Sequence, residues 1–279
     1  MVVVMKPDQL HREVREAARR FLRDLGERGA APVRTWRGPF APLIDHTLLR
    51  PEATAADVRR VCEDAARVGC GAVCVASSWV PHAVAALRET PDIQVCGVVG
   101  FPAGFAIAEA KALEARFAVE EGADEVDAVA NLGALAGGDW AAFSEDVARV
   151  VDAARGAPVK VILESALHSP VVLAAATRAA VLAGAAYVKT STGFHPAGGA
   201  TPQAVAWIGL AAQGAAKVKA SGGLRTCERA RVMLAAGAER LGTSRGPDLA
   251  QCDGVVEVHP EDYLERALLE KVREGEFRL

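Results

Sequence analysis

Short apolar runs alternate with amphipathic stretches along most of this chain of 279 residues. Runs rich in valine, isoleucine and alanine, bounded by glycine or polar residues, are typical of buried strands. The stretches between them carry apolar residues at helical spacing and often end in a glycine, as helices do. The predicted strands span residues 43–46, 72–76, 94–100, 125–131, 159–164, 186–191, 216–221 and 240–243. The predicted helices include residues 55–68, 106–121, 140–154 and 170–183.

This regular alternation predicts the fold class. Parallel strands need helical crossovers, and eight strand–helix units in a row are typical of an α/β protein with a closed (β/α)8 TIM barrel. A doubly wound open sheet is the alternative. The sequence carries no dinucleotide-binding fingerprint, which favours the closed barrel. We therefore assign residues 41–279 to the barrel, with the helical stretch at residues 260–273 as its last helix.

The first 40 residues are predicted to form an N-terminal helical extension. Apolar residues there recur at spacings of 4, 3, 4 and 4, which places them on one face of a helix. They are Leu10, Val14, Ala17, Phe21 and Leu25. Such a face either plugs or braces one end of the barrel or contacts another subunit.

Composition narrows the range of partners. The chain carries 32 Lys and Arg against 35 Asp and Glu, with a net charge of -3 and a pI of about 6.1. This balance argues against a nucleic acid or a membrane surface as a partner. No apolar stretch approaches the roughly 20 residues that span a bilayer. We therefore expect a cytoplasmic protein.

The six cysteines are predicted to be reduced and mostly structural. They form no Cys-x-x-Cys pair and show no spacing with histidine that suits zinc. Most of them lie in apolar strand or helix patterns, where a free thiol behaves as a small hydrophobe. They are Cys62, Cys70, Cys74, Cys96, Cys227 and Cys252.

The placement of lysine is the strongest chemical signal. Only seven residues are lysine, and four of them fall in apolar, strand-like runs between Lys160 and Lys219. Arginine cannot replace lysine in imine chemistry, because guanidinium stays protonated. Side-chain alternation predicts that Lys189 and Lys219 point into the barrel from adjacent strands, with Lys217 nearer the lower mouth. Such a pair suits an amine nucleophile and a neighbour that keeps it partly unprotonated.

Three glycine-containing loops are suited to binding an anion. Each follows a predicted strand: Thr192-Gly193, Ser221-Gly222-Gly223 and Gly242-Thr243-Ser244. Glycine lets the backbone approach a ligand closely, and N–H groups at helix starts favour phosphate. The loops after the last two strands are the usual phosphate position in such barrels. The sequence therefore predicts a phosphate site at this end of the barrel.

Five motifs run in order between about Leu43 and Gly246. They are Asp45-His46-Thr47-Leu48-Leu49-Arg50-Pro51, Glu125-Val126-Asp127 with Asn131-Leu132-Gly133-Ala134-Leu135, Val159-Lys160-Val161-Ile162-Leu163-Glu164, Lys189-Thr190-Ser191-Thr192-Gly193-Phe194 and Val218-Lys219-Ala220-Ser221-Gly222-Gly223. In this order and at this spacing, they resemble the motifs of the deoxyribose-phosphate aldolase family. The resemblance implies a class I aldolase that reversibly cleaves 2-deoxy-D-ribose 5-phosphate to acetaldehyde and D-glyceraldehyde 3-phosphate.

The resemblance also implies roles for particular residues. Lys189 would be the Schiff-base lysine, and Lys219 the second lysine, whose charge disfavours protonation of Lys189. Asp127 would act as general acid/base, through a water, with Lys160 in support of the carboxylate. The residues that would hold the phosphate are Thr192, Gly193, Gly222, Gly223 and Ser244. We expect no metal and no cofactor; the partners would be the phosphorylated sugar, the aldehydes and further copies of the chain in a dimer or tetramer.

Two alternatives stay open. A related class I aldolase would keep the imine but use another aldehyde pair. A non-catalytic barrel would bind a sugar phosphate, which requires neither both lysines nor Asp127. Arg245 stands where the family usually has a small residue, and it would either add a phosphate contact or pair with an acid in its loop.

Overall fold

A computed structural model describes residues 5–27, 34–36, 38–253 and 256–258. Eight parallel strands close into a barrel, in which the last strand pairs with the first. In chain order, after β1 (Arg34–Trp36), the barrel strands are β2 (Ile44–Leu48), β3 (Ala72–Ala76), β4 (Gln94–Val99), β5 (Glu125–Val129), β6 (Val159–Ile162), β7 (Tyr187–Lys189), β8 (Lys217–Ser221) and β9 (Arg240–Thr243). β1 forms a separate antiparallel pair with β10 (Val256–Val258). The predicted (β/α)8 TIM barrel is confirmed.

Helices surround the barrel and connect its strands. They are α1 (Pro7–Glu27), α2 (Ala55–Val68), α3 (Val80–Ala86), α4 (Ala108–Glu120), α5 (Leu132–Gly137), α6 (Trp140–Ala153), α7 (Pro170–Leu182), α8 (Pro202–Ala212), α9 (Cys227–Ala236) and α10 (Gly246–Ala250). The helix predicted at residues 260–273 lies outside the described residues. Within the described ranges, no helix combines the length and the apolar character that crossing a membrane requires.

Capping signals in the sequence set the element ends. α2 begins after Thr54, whose hydroxyl accepts from the N–H of Asp57 while the Asp57 carboxylate accepts from the N–H of Thr54. The helix ends at Gly69, which takes the left-handed conformation with φ 72°. β5 stops short of its predicted end at residue 131, because Asn131 is the N-cap of α5 and its side chain accepts from the backbone of that helix.

Alternate residues along the strands face opposite sides of the barrel wall. Val161 and Val188 belong to the main apolar core that strands and helices share. Their sequence neighbours Lys160 and Lys189 face the interior instead, where both lie within 3.1 Å of Asp127. The wall therefore separates an outer apolar layer from an inner layer that carries charge.

α1 packs against the outside of the barrel, on α6, α7 and α8, and does not plug either end. Ala18 is fully buried on this face and the predicted Ala17 only partly, while Glu13 forms an ion pair with Arg178 of α7 at 3.0 Å. The side chain of the predicted Leu25 lies outside the described residues. The buried face of the helix consists of Leu10, Val14, Ala18 and Phe21. This apolar face is thus covered by the chain's own helices.

The prediction that all cysteines are reduced is wrong for one pair. Cys227, the first residue of α9, and Cys252, just after α10, form a disulfide with their Cα atoms 5.6 Å apart. That separation is one a disulfide can bridge. The two residues are 25 positions apart, and only the packing of α9 against the chain after α10 brings them together. The remaining cysteines are free and buried, as predicted.

A buried ion pair ties two outer helices to the end of β5. Lys111 of α4 donates to the carboxylate of Asp146 on α6 and to the backbone carbonyl of Val129, both at 2.9 Å. Asp146 also accepts from the N–H of Asn131 at 2.9 Å. Burial raises the pKa of Asp146. Because an unpaired charge at this depth would be costly, the pair holds the chain just after β5 in a fixed position.

Candidate active site

Lys189 and Lys219, which the sequence placed in strands, lie toward the upper end of the barrel, the end at which the strands finish. β7 and β8 pair in register, so Lys189 lies beside Lys219. β5 and β6 likewise place Asp127 beside Lys160. All four side chains are buried and reach the interior, as predicted for the two lysines of β7 and β8. Lys217, the first residue of β8, is exposed at the lower end.

The carboxylate of Asp127 joins these side chains. Its Oδ2 accepts hydrogen bonds from Nζ of Lys189 and from Nζ of Lys219, both at 2.6 Å. Its Oδ1 lies 3.1 Å from Nζ of Lys160 and 3.1 Å from Sγ of Cys96, a residue that the sequence pattern did not single out. Asp127 on β5 therefore contacts side chains from β4, β6, β7 and β8.

Two further charged residues, to which the sequence pattern assigned no role, extend these contacts. Arg240 on β9 lies 2.6 Å from Asp45 and 3.1 Å from Glu125. Glu125 also accepts from Lys160 at 2.6 Å, and Asp45 pairs with Lys219. Arg240 and Glu125 both stand in barrel strands, where a buried charge is costly unless it is paired.

We call this set of paired side chains the charge network: Asp45, Glu125, Asp127, Lys160, Lys189, Lys219 and Arg240. Burial alone would raise the pKa of Asp127, but three neighbouring lysines outweigh it and hold the pKa well below its usual range. Burial would lower the pKa of Lys219, yet Asp127 and Asp45 raise it above its ordinary value. At neutral pH, Asp127 is therefore a carboxylate and Lys219 an ammonium.

The charge network contains one more basic than acidic side chain, four against three. Within it, Lys189 contacts one carboxylate, Lys219 two and Lys160 three. Of the three lysines, Lys189 is therefore the one whose Nζ is paired with the fewest carboxylates. That arrangement suits an amine that must attack a carbonyl carbon.

Glycines bring the loops above β7 and β8 into backbone contact. A Cβ on Gly222 would lie 2.9 Å from Cα of Gly199 and 3.2 Å from Cα of Gly193. The φ angles of 83° at Gly193, 89° at Gly222 and 77° at Gly223 fall in the left-handed region that favours glycine. Ser244 follows β9 at the same end and is exposed. The loops of Gly193 and Gly222 therefore touch one another just after the strands that carry Lys189 and Lys219.

Thr192 is engaged by Glu164. Its hydroxyl donates to the Glu164 carboxylate at 2.5 Å and its N–H at 3.2 Å, while Oγ1 accepts from the N–H of Phe194 at 3.1 Å. Glu164 is buried and takes a left-handed φ of 52°, a conformation that a non-glycine residue adopts at some cost. Thr192 thereby fixes the shape of the loop that carries Gly193.

One side of the interior is apolar. Phe101 packs edge-on against the half-exposed Phe194, with ring centroids 5.2 Å apart. Further in, an apolar cluster near Asp127 consists of Leu49, Cys74, Cys96, Val98 and Phe101. The site therefore combines an apolar wall on β3 and β4 with glycine loops above β7 and β8. Asp127 and the lysines lie between them.

Known proteins are similar to this chain over about three quarters of its length. The family model described as DeoC/LacD family aldolase matches residues 40–250. The chain is 49% identical over 212 residues to a deoxyribose-phosphate aldolase of Mycolicibacterium paratuberculosis, covering 75% of this chain and 94% of that protein. It is 46% identical over 213 residues to a deoxyribose-phosphate aldolase of a Geobacillus species, covering 76% of this chain and 95% of that protein.

A solved structure agrees with the match. The deoxyribose phosphate aldolase of Aeropyrum pernix, described as tetrameric, superposes with a TM-score of 0.70 at 32% identity. The superposition covers 86% of this chain and 96% of that one. The barrel, the motifs placed at its upper end and the family match over residues 40–250 lead to one assignment. This chain belongs to the DeoC/LacD family of aldolases.

Proposed function

We propose that this chain is a class I aldolase that reversibly cleaves 2-deoxy-D-ribose 5-phosphate to acetaldehyde and D-glyceraldehyde 3-phosphate. The observation that carries the proposal is the shared contact of Lys189 and Lys219 with one carboxylate oxygen, Oδ2 of Asp127, in a buried interior. The names of the relatives support the choice of substrate. A barrel that only bound a sugar phosphate would not need this arrangement of lysines around one carboxylate.

Lys189 would form the imine. Its neutral amine attacks the aldehyde carbon C1 of the open-chain sugar, and loss of water leaves an iminium. The proton of the C3 hydroxyl is then removed, the C2–C3 bond breaks, and its electron pair moves through C2 to the iminium nitrogen. D-Glyceraldehyde 3-phosphate leaves. The remaining enamine takes up a proton at C2 and is hydrolysed to acetaldehyde and free Lys189.

Asp127 would carry the proton between C3 oxygen and solvent through a bound water. In the free protein, both lysine contacts at 2.6 Å occupy Oδ2. Conversion of the Lys189 amine to an iminium leaves at most one N–H on that nitrogen, so a lone pair of Oδ2 becomes available to the water. Lys219 remains an ammonium and keeps the carboxylate in place, while Lys160 holds Oδ1 from below.

The two ends of the sugar would meet different surfaces. The phosphate would bind the loops of Gly193, Gly222, Gly223 and Ser244, with Thr192 shaping the first of them. The two-carbon end would lie toward the apolar wall, which suits the methyl group of acetaldehyde better than a second hydroxyl. Binding energy from the remote phosphate would hold C1 over Lys189.

Borohydride trapping tests the imine directly. Protein incubated with acetaldehyde and reduced with borohydride should carry a two-carbon adduct on Lys189, found by peptide mass mapping. Lys189→Met should carry none there, and the exposed Lys217 gives the background of non-specific alkylation in both proteins. A folded wild-type protein that binds the sugar phosphate but shows no adduct on Lys189 would favour the non-catalytic barrel.

Lys219→Met tests the role of the second lysine. Without Lys219, Lys189 is the only lysine on Oδ2 of Asp127, and the undivided negative charge favours its protonated form. We expect kcat at neutral pH to fall by about 100-fold or more. Binding of inorganic phosphate, measured by calorimetry, should persist. Lys217→Met is the matched control and should turn over normally; unimpaired turnover in Lys219→Met would refute the role.

Gly222→Ala tests the phosphate loops. The added Cβ would meet the backbone of Gly199 at 2.9 Å and separate the loops that converge there. We expect the KM for the sugar phosphate to rise about ten-fold or more, since small displacements of a binding group are costly. Adduct formation with acetaldehyde should remain. Gly137→Ala, at a position with no atom within 4 Å of the added Cβ, is the control and should leave KM unchanged.

We also infer that the chain forms a homo-oligomer, a dimer or tetramer. Large apolar side chains are exposed on α4 and the loop before it: Phe105 is 85% exposed, Ile107 69% and Leu113 56%. Phe117, one helical turn after Leu113, extends the same face. Light scattering of the purified chain should give a multiple of its mass, and Leu113→Glu should lower it. A monomeric mass for the wild type would contradict the inference.

A further inference from the structure

Cys96 lies beside the carboxylate of Asp127 but takes no part in the proposed bond-making and bond-breaking steps. It is fully buried on β4, in register with Cys74 of β3. Its Sγ is 3.1 Å from Oδ1 of Asp127 and 3.4 Å from Nζ of Lys160. Cys74 is less closely engaged, with its Sγ 4.0 Å from Oδ2 of Asp127.

The neighbours of Cys96 determine where its proton points. The Lys160 ammonium can only donate, so at this contact the sulfur accepts. The carboxylate of Asp127 can only accept, so the S–H is directed at Oδ1. The competing acceptors are weaker: the carbonyl of Gly97 is 4.0 Å away, and the Cys74 sulfur is a poor acceptor. Burial also raises the pKa of Cys96 well above its usual value, which keeps the thiol protonated.

The two oxygens of Asp127 therefore have different partners. Oδ2 meets the lysines of β7 and β8, at 2.6 Å each. Oδ1 meets Cys96 and Lys160, and Lys160 is shared with Glu125 at 2.6 Å. The thiol of Cys96 stands one rotatable bond away from β4, and its S–H is directed at Oδ1. It is thus the contact of Oδ1 that is not divided between two carboxylates.

We infer that Cys96 is a positioning residue: its S–H, donated to Oδ1, sets the orientation of the Asp127 carboxylate that keeps Oδ2 toward Lys189 and Lys219. The residue exchanges no proton with the substrate and forms no bond to it. It acts through Asp127 on the proton transfer at the C3 hydroxyl. The inference deepens the proposed function and rests on it for its kinetic consequence, but not for the hydrogen bond itself.

Three variants separate this role from packing. Cys96→Ala removes the donor and should lower kcat by about ten-fold or more, because small misplacements of a catalytic group are costly. KM should stay nearly constant, since the phosphate loops are untouched. Cys96→Ser keeps a donor and should restore most of the turnover. Cys62→Ala, which removes a buried thiol in α2 away from the charge network, is the control and should turn over like the wild type.

An infrared measurement tests the hydrogen bond without reference to activity. The S–H stretching band of Cys96, isolated as the difference between wild type and Cys96→Ser, should lie at the low frequency of a strongly bonded thiol. It should shift up when the acceptor is weakened in Asp127→Asn.

The outcomes distinguish the two proposals. If the wild type forms no adduct on Lys189, the proposed function fails, whatever the infrared band shows. If the wild type forms the adduct but Cys96→Ala keeps wild-type kcat, or if Cys96→Ala and Cys96→Ser are equally impaired, the positioning role is wrong. An S–H band unaffected by Asp127→Asn would also overturn it.

Discussion

The carboxylate of Asp127 is the contact on which the rest of the site depends. It is completely buried, and the three lysine side chains around it hold its pKa well below the usual range in spite of that burial. The dependence is mutual, since Lys189 and Lys219 would be unpaired in a water-poor interior without it. Four strands, β4, β6, β7 and β8, each send a side chain to this one group on β5. The contacts of Asp127 therefore depend on the register of these strands. A shift of one strand against its neighbour would also disrupt the site.

The ionic interior also explains where the stability of the fold must come from. In barrels of this type, branched apolar side chains usually fill the interior in layers. Here the charge network occupies much of that space, and a buried ion pair contributes little net stability once desolvation is counted. The main apolar core lies instead between the strands and the helices. The outer layer stabilises the barrel, which leaves the interior free to carry chemistry.

The sequence was sufficient for the barrel and for the central pair of lysines, for identifiable reasons. Alternating apolar runs and helices that end in glycine are determined by residues close together in the sequence. The side chains of a strand alternate between its two faces, which places Lys189 and Lys219 on the same side of adjacent strands. Contacts that form only when the barrel closes could not be predicted from the sequence. Arg240 contacts Asp45 because β9, the last strand of the barrel, pairs with β2, the first. No spacing in the sequence indicates that these two strands are neighbours.

The same limit applies to several other features. Cys227 and Cys252 are joined by the packing of distant segments, so counting cysteines could not pair them. Thr192 was recognised by its place in a glycine-containing loop, but its engagement by Glu164 depends on a left-handed turn at Glu164 that its residue type does not favour. In α1, the sequence predicted that Ala17 is on the buried face, whereas the next residue, Ala18, is buried there. The spacing of apolar residues does not fix the rotation of a helix to within one residue.

The backbone contacts among Gly193, Gly199 and Gly222 have a thermodynamic consequence for ligand binding. Loops that touch without intervening side chains cannot move independently, so their conformational entropy is already lost when the protein folds. A ligand that meets such a preorganised surface has less ordering to impose, and more of its interaction energy is expressed as affinity. The same rigidity limits adaptation, because a loop fixed by its neighbours cannot reshape itself around a larger or differently charged group.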